Sequence, residues 1–79
     1  MSIKIVHRKL GKEHADGLAY KEHNEIHIDE RLKKREYMLT VLHELLHMYF
    51  PDLSESKVDK ISRKMCSELW KLKFRRTDG

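Results

Sequence analysis

The chain has 79 residues, 17 basic and 13 acidic side chains, a formal net charge of +4 and one cysteine, Cys66. That length suits one domain (1–79) that buries only about 60% of its unfolded surface. A lone cysteine excludes a disulfide framework and fits a reducing, cytoplasmic setting. No apolar leader opens the chain and no run approaches a membrane span, so a soluble protein with no membrane partner is expected.

Residues 3–7 are β-branched and roughly alternating, with Ile3 and Ile5 on one face, and read as a first strand. Residues 10–16 hold Gly11 and several charges and read as loop, with a turn at Asp16-Gly17. Residues 18–21 read as a short second strand, and His23-Asn24 as a hairpin tip. Residues 25–29 alternate cleanly: Ile26 and Ile28 face a core, while Glu25, His27 and Asp29 face out. The expected sheet therefore occupies 1–29.

A helix over 35–50 follows, stopped by Pro51 because the residue before proline disfavours helical geometry. It is apolar nearly all round, which predicts a buried helix. Asp52 is a candidate cap for a second helix over 53–74, with Glu55 three residues on completing a capping-box-like pair. Val58, Ile61, Met65, Leu69 and Leu72 form an apolar stripe along it, edged by Trp70 and Phe74. Residues 75–79 read as a frayed tail. Strands followed by two helices predict a small α+β domain, in which a short sheet with a β-hairpin precedes an antiparallel helical pair.

The chemistry concentrates in the first helix, which contains His43-Glu44-Leu45-Leu46-His47. Residues i and i+4 share a helix face, so His43 and His47 present neighbouring imidazoles, half of a zinc site. Glu44 can reach a water on the same metal, the HExxH arrangement of two ligands and a general base. Burying three such groups among Leu39, Val41, Leu42 and Met48 is costly unless a metal partners them. The alternative is a core helix whose histidines hydrogen-bond locally, with Glu44 at the surface.

Three protein ligands suit tetrahedral zinc with an open position. If the helical turn centres near Asp52, His47 lies level with about Lys57 and His43 with about Ile61. Glu68 then falls roughly 10 Å beyond His43, at about 1.5 Å per residue. Glu55 is the leading candidate, in competition with its capping role. Asp59 is the next, suited also to orienting a histidine ring. His27, on the outer strand face, is a further alternative ligand. His7, His14 and His23 read as surface residues, and Cys66 as a small core residue.

With these residues in place the chain resembles minimal gluzincin-type metallopeptidases. It is similar to the cores of the ImmA/IrrE-like and SprT-like families, and to small HExxH proteins of phages and mobile elements. The similar part runs over about 16–61. The resemblance implies zinc (Zn2+) held by His43, His47 and Glu55, with Glu44 as base. ImmA/IrrE-like proteins usually carry glycine before the second histidine, where this chain has Leu46. Their Glu-x-x-Ala-Asn segment reads here Glu55-Ser56-Lys57-Val58-Asp59.

The expected activity is zinc-dependent hydrolysis of a peptide or protein substrate. The metal lowers the pKa of its water, and Glu44 takes the proton and passes it to the leaving amine. A substrate strand would add to the sheet at Ile26–Ile28, with Tyr20, His27 or Tyr49 as candidate oxyanion donors. The alternative is a zinc-stabilised basic module without catalysis, its site closed by His7 or His27 as fourth ligand. Such a module would bind protein or nucleic acid through Lys33-Lys34-Arg35 or Lys71, Lys73, Arg75 and Arg76. No helix-turn-helix or stacking motif accompanies those clusters, so nucleic acid is the lesser expectation.

Overall fold

A computed structural model describes residues 2–13 and 15–74. The expectations for His14 and for the tail over 75–79, including Arg75 and Arg76, lie outside the described residues. Three strands precede two helices: β1 (Lys4–Arg8), β2 (Gly17–Tyr20), β3 (Glu25–Asp29), α1 (Lys34–Tyr49) and α2 (Glu55–Lys71), with short 3-10 turns at Gly11–Glu13 and Lys21–His23. This is the expected α+β class.

The sheet order is β1-β3-β2. β2 and β3 form the antiparallel hairpin, with Ala19 opposite Ile26 and Leu18 opposite His27. Asn24 makes the tip, in the left-handed region at φ 53 and ψ 44. Asparagine tolerates that conformation better than other residues with a Cβ. β1 pairs with β3 in parallel, Ile5 beside Ile26 and Val6 beside His27. Two parallel neighbours require a crossover, and β2 with its flanking turns provides it.

β3 is therefore the central strand, paired on both sides, and not the exposed edge expected for it. Among the described residues the free edges belong to β1 and β2. Gly17, expected in a turn, is the first residue of β2. Ile5 stands 39% exposed because β1 is the edge farther from α1, which packs mainly on β2 and β3.

Leu10, Ile26, Ile28, Val58 and Cys66 are fully buried. Leu10, expected in a loop, is buried there, and Asp29, expected on the outer face, is also inside. Asp29 ends its strand with both carboxylate oxygens engaged. Arg31 pairs with it at 2.7 Å, and the Leu10 and Arg31 backbone amides donate to it at 3.3 and 2.9 Å. These bonds to the ionised form hold its carboxyl well below the usual carboxylate range, Arg31 contributing most.

The helices are antiparallel: Cys66 Sγ meets the Arg35 carbonyl at 3.8 Å, while Glu55 meets His43 and His47 at the other end. Pro51 stands in the link, and the Phe50 amide closes α1 on the Leu46 carbonyl. α2 is capped by Ser54, whose Oγ accepts from the Lys57 amide at 3.3 Å. Asp52 falls too early, because Pro51 to Leu53 is spent in the turn; the expected Asp52–Glu55 box does not form. The buried face of α2 is Val58, Ser62 and Cys66, so the expected stripe is rotated, with Met65 and Leu72 exposed. Small residues at 62 and 66 let the two helices approach. α1 is only partly enclosed: Glu44 and Leu46 are buried, and most of its other residues are half-buried. Among the described residues no helix is long and apolar enough to cross a membrane.

Candidate metal centre

α1 and α2 bring three side chains to one point. Glu55 Oε1 lies 2.7 Å from His43 Nε2, and its Oε2 3.0 Å from His47 Nε2. The two Nε2 atoms are 3.2 Å apart. The i, i+4 spacing supplies the histidine pair. The cap at Ser54 supplies the rest: it satisfies the helix N-terminus, so the Glu55 carboxylate is free to turn toward α1.

These contacts cannot all be favourable between protons and lone pairs. With Glu55 ionised, each histidine must present Nε2–H to it, and then two N–H groups face each other. If either nitrogen is deprotonated instead, a lone pair faces the carboxylate. While Glu55 is ionised, at least one contact in three is repulsive in each of these arrangements. A cation at the centre turns all three into attraction, and two imidazoles with a carboxylate are a donor set suited to zinc. The residues fit the metal that their chemistry implies; their ligand atoms lie within 4.8 Å of one another.

Glu44 lies beside this cluster, 8% exposed. Burial, the largest influence, pushes its carboxyl up and Glu55 adds to this, while His43 and His47 pull the other way. What encloses it is Gly17. A Cβ there would stand 2.8 Å from Thr40 Cγ2, 2.9 Å from Glu44 Cγ and 3.1 Å from Glu44 Oε2. A cleft of about 420 Å³ opens over the cluster, lined by β2 and Lys21 on one side and by His43, Glu44, His47 and Glu55 on the other. Sequence reading missed Gly17, Ala19 and Lys21. A glycine opening a short strand was their only signal, and it reads equally as a turn.

The other candidates lie elsewhere. His27 is on the sheet face opposite α1, where its Nδ1 accepts from Arg8 Nε at 2.7 Å and its Nε2 bonds Glu25 at 2.9 Å. Tyr20 packs against it, ring centroids 4.5 Å apart. The sheet therefore separates both from Glu44, which removes His27 as ligand and both as oxyanion donors. Tyr49 is 63% exposed at the end of α1 and does not line the cleft. His7 stacks on Tyr37 and hydrogen-bonds its hydroxyl at 2.8 Å, which takes it from a fourth-ligand role. His23 is exposed in the hairpin turn. Asp59 pairs with Arg63 at 3.0 Å, one turn along α2 from Glu55, and its carboxylate stands apart from the three-residue cluster.

No curated protein and no solved structure matches the chain significantly. A peptidase family model, described as the IrrE N-terminal-like domain, matches residues 1–67. That span takes in the whole sheet, α1 and most of α2, and the chain belongs to the IrrE N-terminal-like domain family of peptidases.

Proposed function

We propose that the protein is a zinc-dependent metallopeptidase with His43, His47 and Glu55 as ligands and Glu44 as general base. The observation that carries this is the Nε2–Nε2–carboxylate triangle, self-repulsive while Glu55 is ionised and no cation sits in it, with a buried carboxylate beside it. Zinc, when bound, supplies Lewis-acid polarisation of the carbonyl and a lowered pKa for water.

The chain's own residues do the remainder. Glu44, walled in by Gly17 and Thr40, accepts the proton of the attacking water on its carboxylate and delivers it to the leaving amine. The free edge of β2 offers backbone donors and acceptors to an extended substrate; this replaces the interior strand β3 as the docking edge. Lys21 adds a positive charge to the same cleft. A single buried cysteine accords with a reducing, cytoplasmic setting.

The test is zinc per chain in protein purified without added metal, beside a His47→Ala control, followed by peptide hydrolysis with Glu44→Gln as blank. About one zinc, lost in the control, with hydrolysis lost in Glu44→Gln, supports the proposal. One zinc without hydrolysis leaves the zinc-stabilised binding module, and no zinc after reconstitution removes both.

A further inference from the structure

The cleft over the histidine pair does not end there. A second cleft, of about 270 Å³, shares Gly17, His43 and Glu44 with the first and continues over Thr40 and Leu39 between Asp16 and Asp59. A third, also about 270 Å³, shares Leu39 and Arg63 with the second and ends at Arg35 and Cys66. Together they make one trench. α1 is its floor, from His47 back to Arg35; β2 forms one bank near the centre, and α2 the other.

The trench has a direction. β2 runs along α1 in the same sense, since Asp16 and Gly17 meet Thr40 while Lys21 shares the cleft with His47. A peptide adding to the free edge of β2 favours antiparallel pairing, the slightly more stable ladder. It would then run from the Lys21 end toward Asp16, so its carboxyl side lies in the part of the trench that leads to Arg63 and Arg35.

Asp16 and Asp59 line the approach, and Arg63 with Arg35 lies at the end, so length and the two arginines point to what that end can read. Arg63 follows Glu55 by eight residues of helix, about 12 Å at 1.5 Å per residue. An extended peptide covers that in about four residues at roughly 3.3 Å each. Arg63 gives its Nε to Asp59, and a guanidinium carries further N–H donors suited to a carboxylate fork. Arg35 lines the same end, exposed at the start of α1. The histidine–glutamate cluster and the two arginines thus lie at separate stations of one channel.

We infer that Arg35 and Arg63 form a carboxylate-binding subsite that selects peptides with an acidic group about four residues beyond the scissile bond on its carboxyl side. The carboxylate is an Asp or Glu side chain or the peptide's own C-terminus. The inference rests on the peptidase reading and adds a substrate class to it.

Peptides from a digested proteome are incubated with the zinc-loaded chain and the new termini sequenced by mass spectrometry. The wild type enriches Asp and Glu at the third to fifth residue after the cut, on the order of two- to fivefold for an exposed charge pair. The Arg35→Gln/Arg63→Gln double variant loses the enrichment, and Arg35→Glu/Arg63→Glu shifts it to Lys and Arg. Amidating the peptide C-termini leaves the enrichment if side chains are read and removes cutting near chain ends if the terminus is. A binding readout stands beside activity. Hexaglutamate added to the zinc-loaded Glu44→Gln chain moves the Nε–H resonances of Arg35 and Arg63, and hexaglutamine does not. Cleavage without acidic enrichment, or with enrichment unchanged in the double variant, overturns the subsite and leaves the peptidase standing. No cleavage by the wild type overturns the peptidase reading, and the subsite with it.

Discussion

Gly17 abuts Glu44 so closely that a methyl group at residue 17 would come within 2.9 Å of the Glu44 Cγ and 2.8 Å of Thr40 Cγ2. The first residue of an edge strand thereby sets the position of the proposed base. Thr40 is β-branched and stiff, so it yields little. Gly17→Ala should cost about 1–3 kcal/mol of stability through overpacking. Turnover should fall as Glu44 is displaced, while zinc stays bound. Urea unfolding, zinc content and peptide hydrolysis on one preparation check this; unchanged turnover would show that Glu44 is not held by Gly17.

Glu44→Gln keeps the shape of the side chain and removes its basicity. Turnover should drop about a hundred- to ten-thousandfold, the usual contribution of a general base, with zinc retained. Loss of the metal in this variant would place Glu44 among the ligands instead.

Zinc should carry part of the fold. At free zinc about a hundredfold above its dissociation constant, binding adds about 2.7 kcal/mol, or roughly 10–20 °C in Tm for a domain of this size. A chelator should remove that increment. His47→Ala should behave as the chelated wild type and no longer respond to chelator. Acid should act in the same direction, since imidazole binds metal only when neutral. Calorimetry with and without chelator decides; a Tm indifferent to both chelator and mild acid would mean that the metal is no part of the fold.

Asp29→Asn tests the buried carboxylate under β3. The folded state holds this carboxyl below its ordinary value, so its stabilising contribution is complete at neutral pH. It is lost as pH falls from the unfolded value, about 3.9, toward the lower folded one. Wild type should exceed the variant in urea midpoint at pH 7, and the gap should narrow below about pH 4. A constant gap across that window would assign the effect to shape and not to charge.

His27 provides a negative control. It lies across the sheet from the histidine pair, tied to Arg8 and Glu25. His27→Ala should leave zinc stoichiometry unchanged, and a loss of metal in it would contradict the ligand set proposed here.

Much of this was legible in the chain itself wherever the information is local. The i, i+4 spacing of His43 and His47 is a property of any helix, and Pro51 ends that helix whatever surrounds it. Alternation over Glu25–Asp29 gave the right two inward residues, Ile26 and Ile28. Glu55's place near the level of His47 follows from its distance past the turn, while the cap of α2 is Ser54 and not Asp52.

What tertiary structure decided was nonlocal. Strand order is not written in any strand's periodicity: only the pairing of β1 with β3 shows that β3 is interior and that β2 carries the free edge beside Glu44. Asp29 and Leu10 are both buried and joined by the Leu10 amide across 19 residues, which no local pattern contains. The buried face of α2 was set by the small residues Ser62 and Cys66, which admit the backbone of α1, and not by its larger apolar side chains. Sequence by itself determined which groups can do chemistry, because ligand type and helical spacing are local facts. The fold decided which of them meet, because a carboxylate on α2, a glycine on β2 and two arginines at the hairpin's far end come to one trench only through packing.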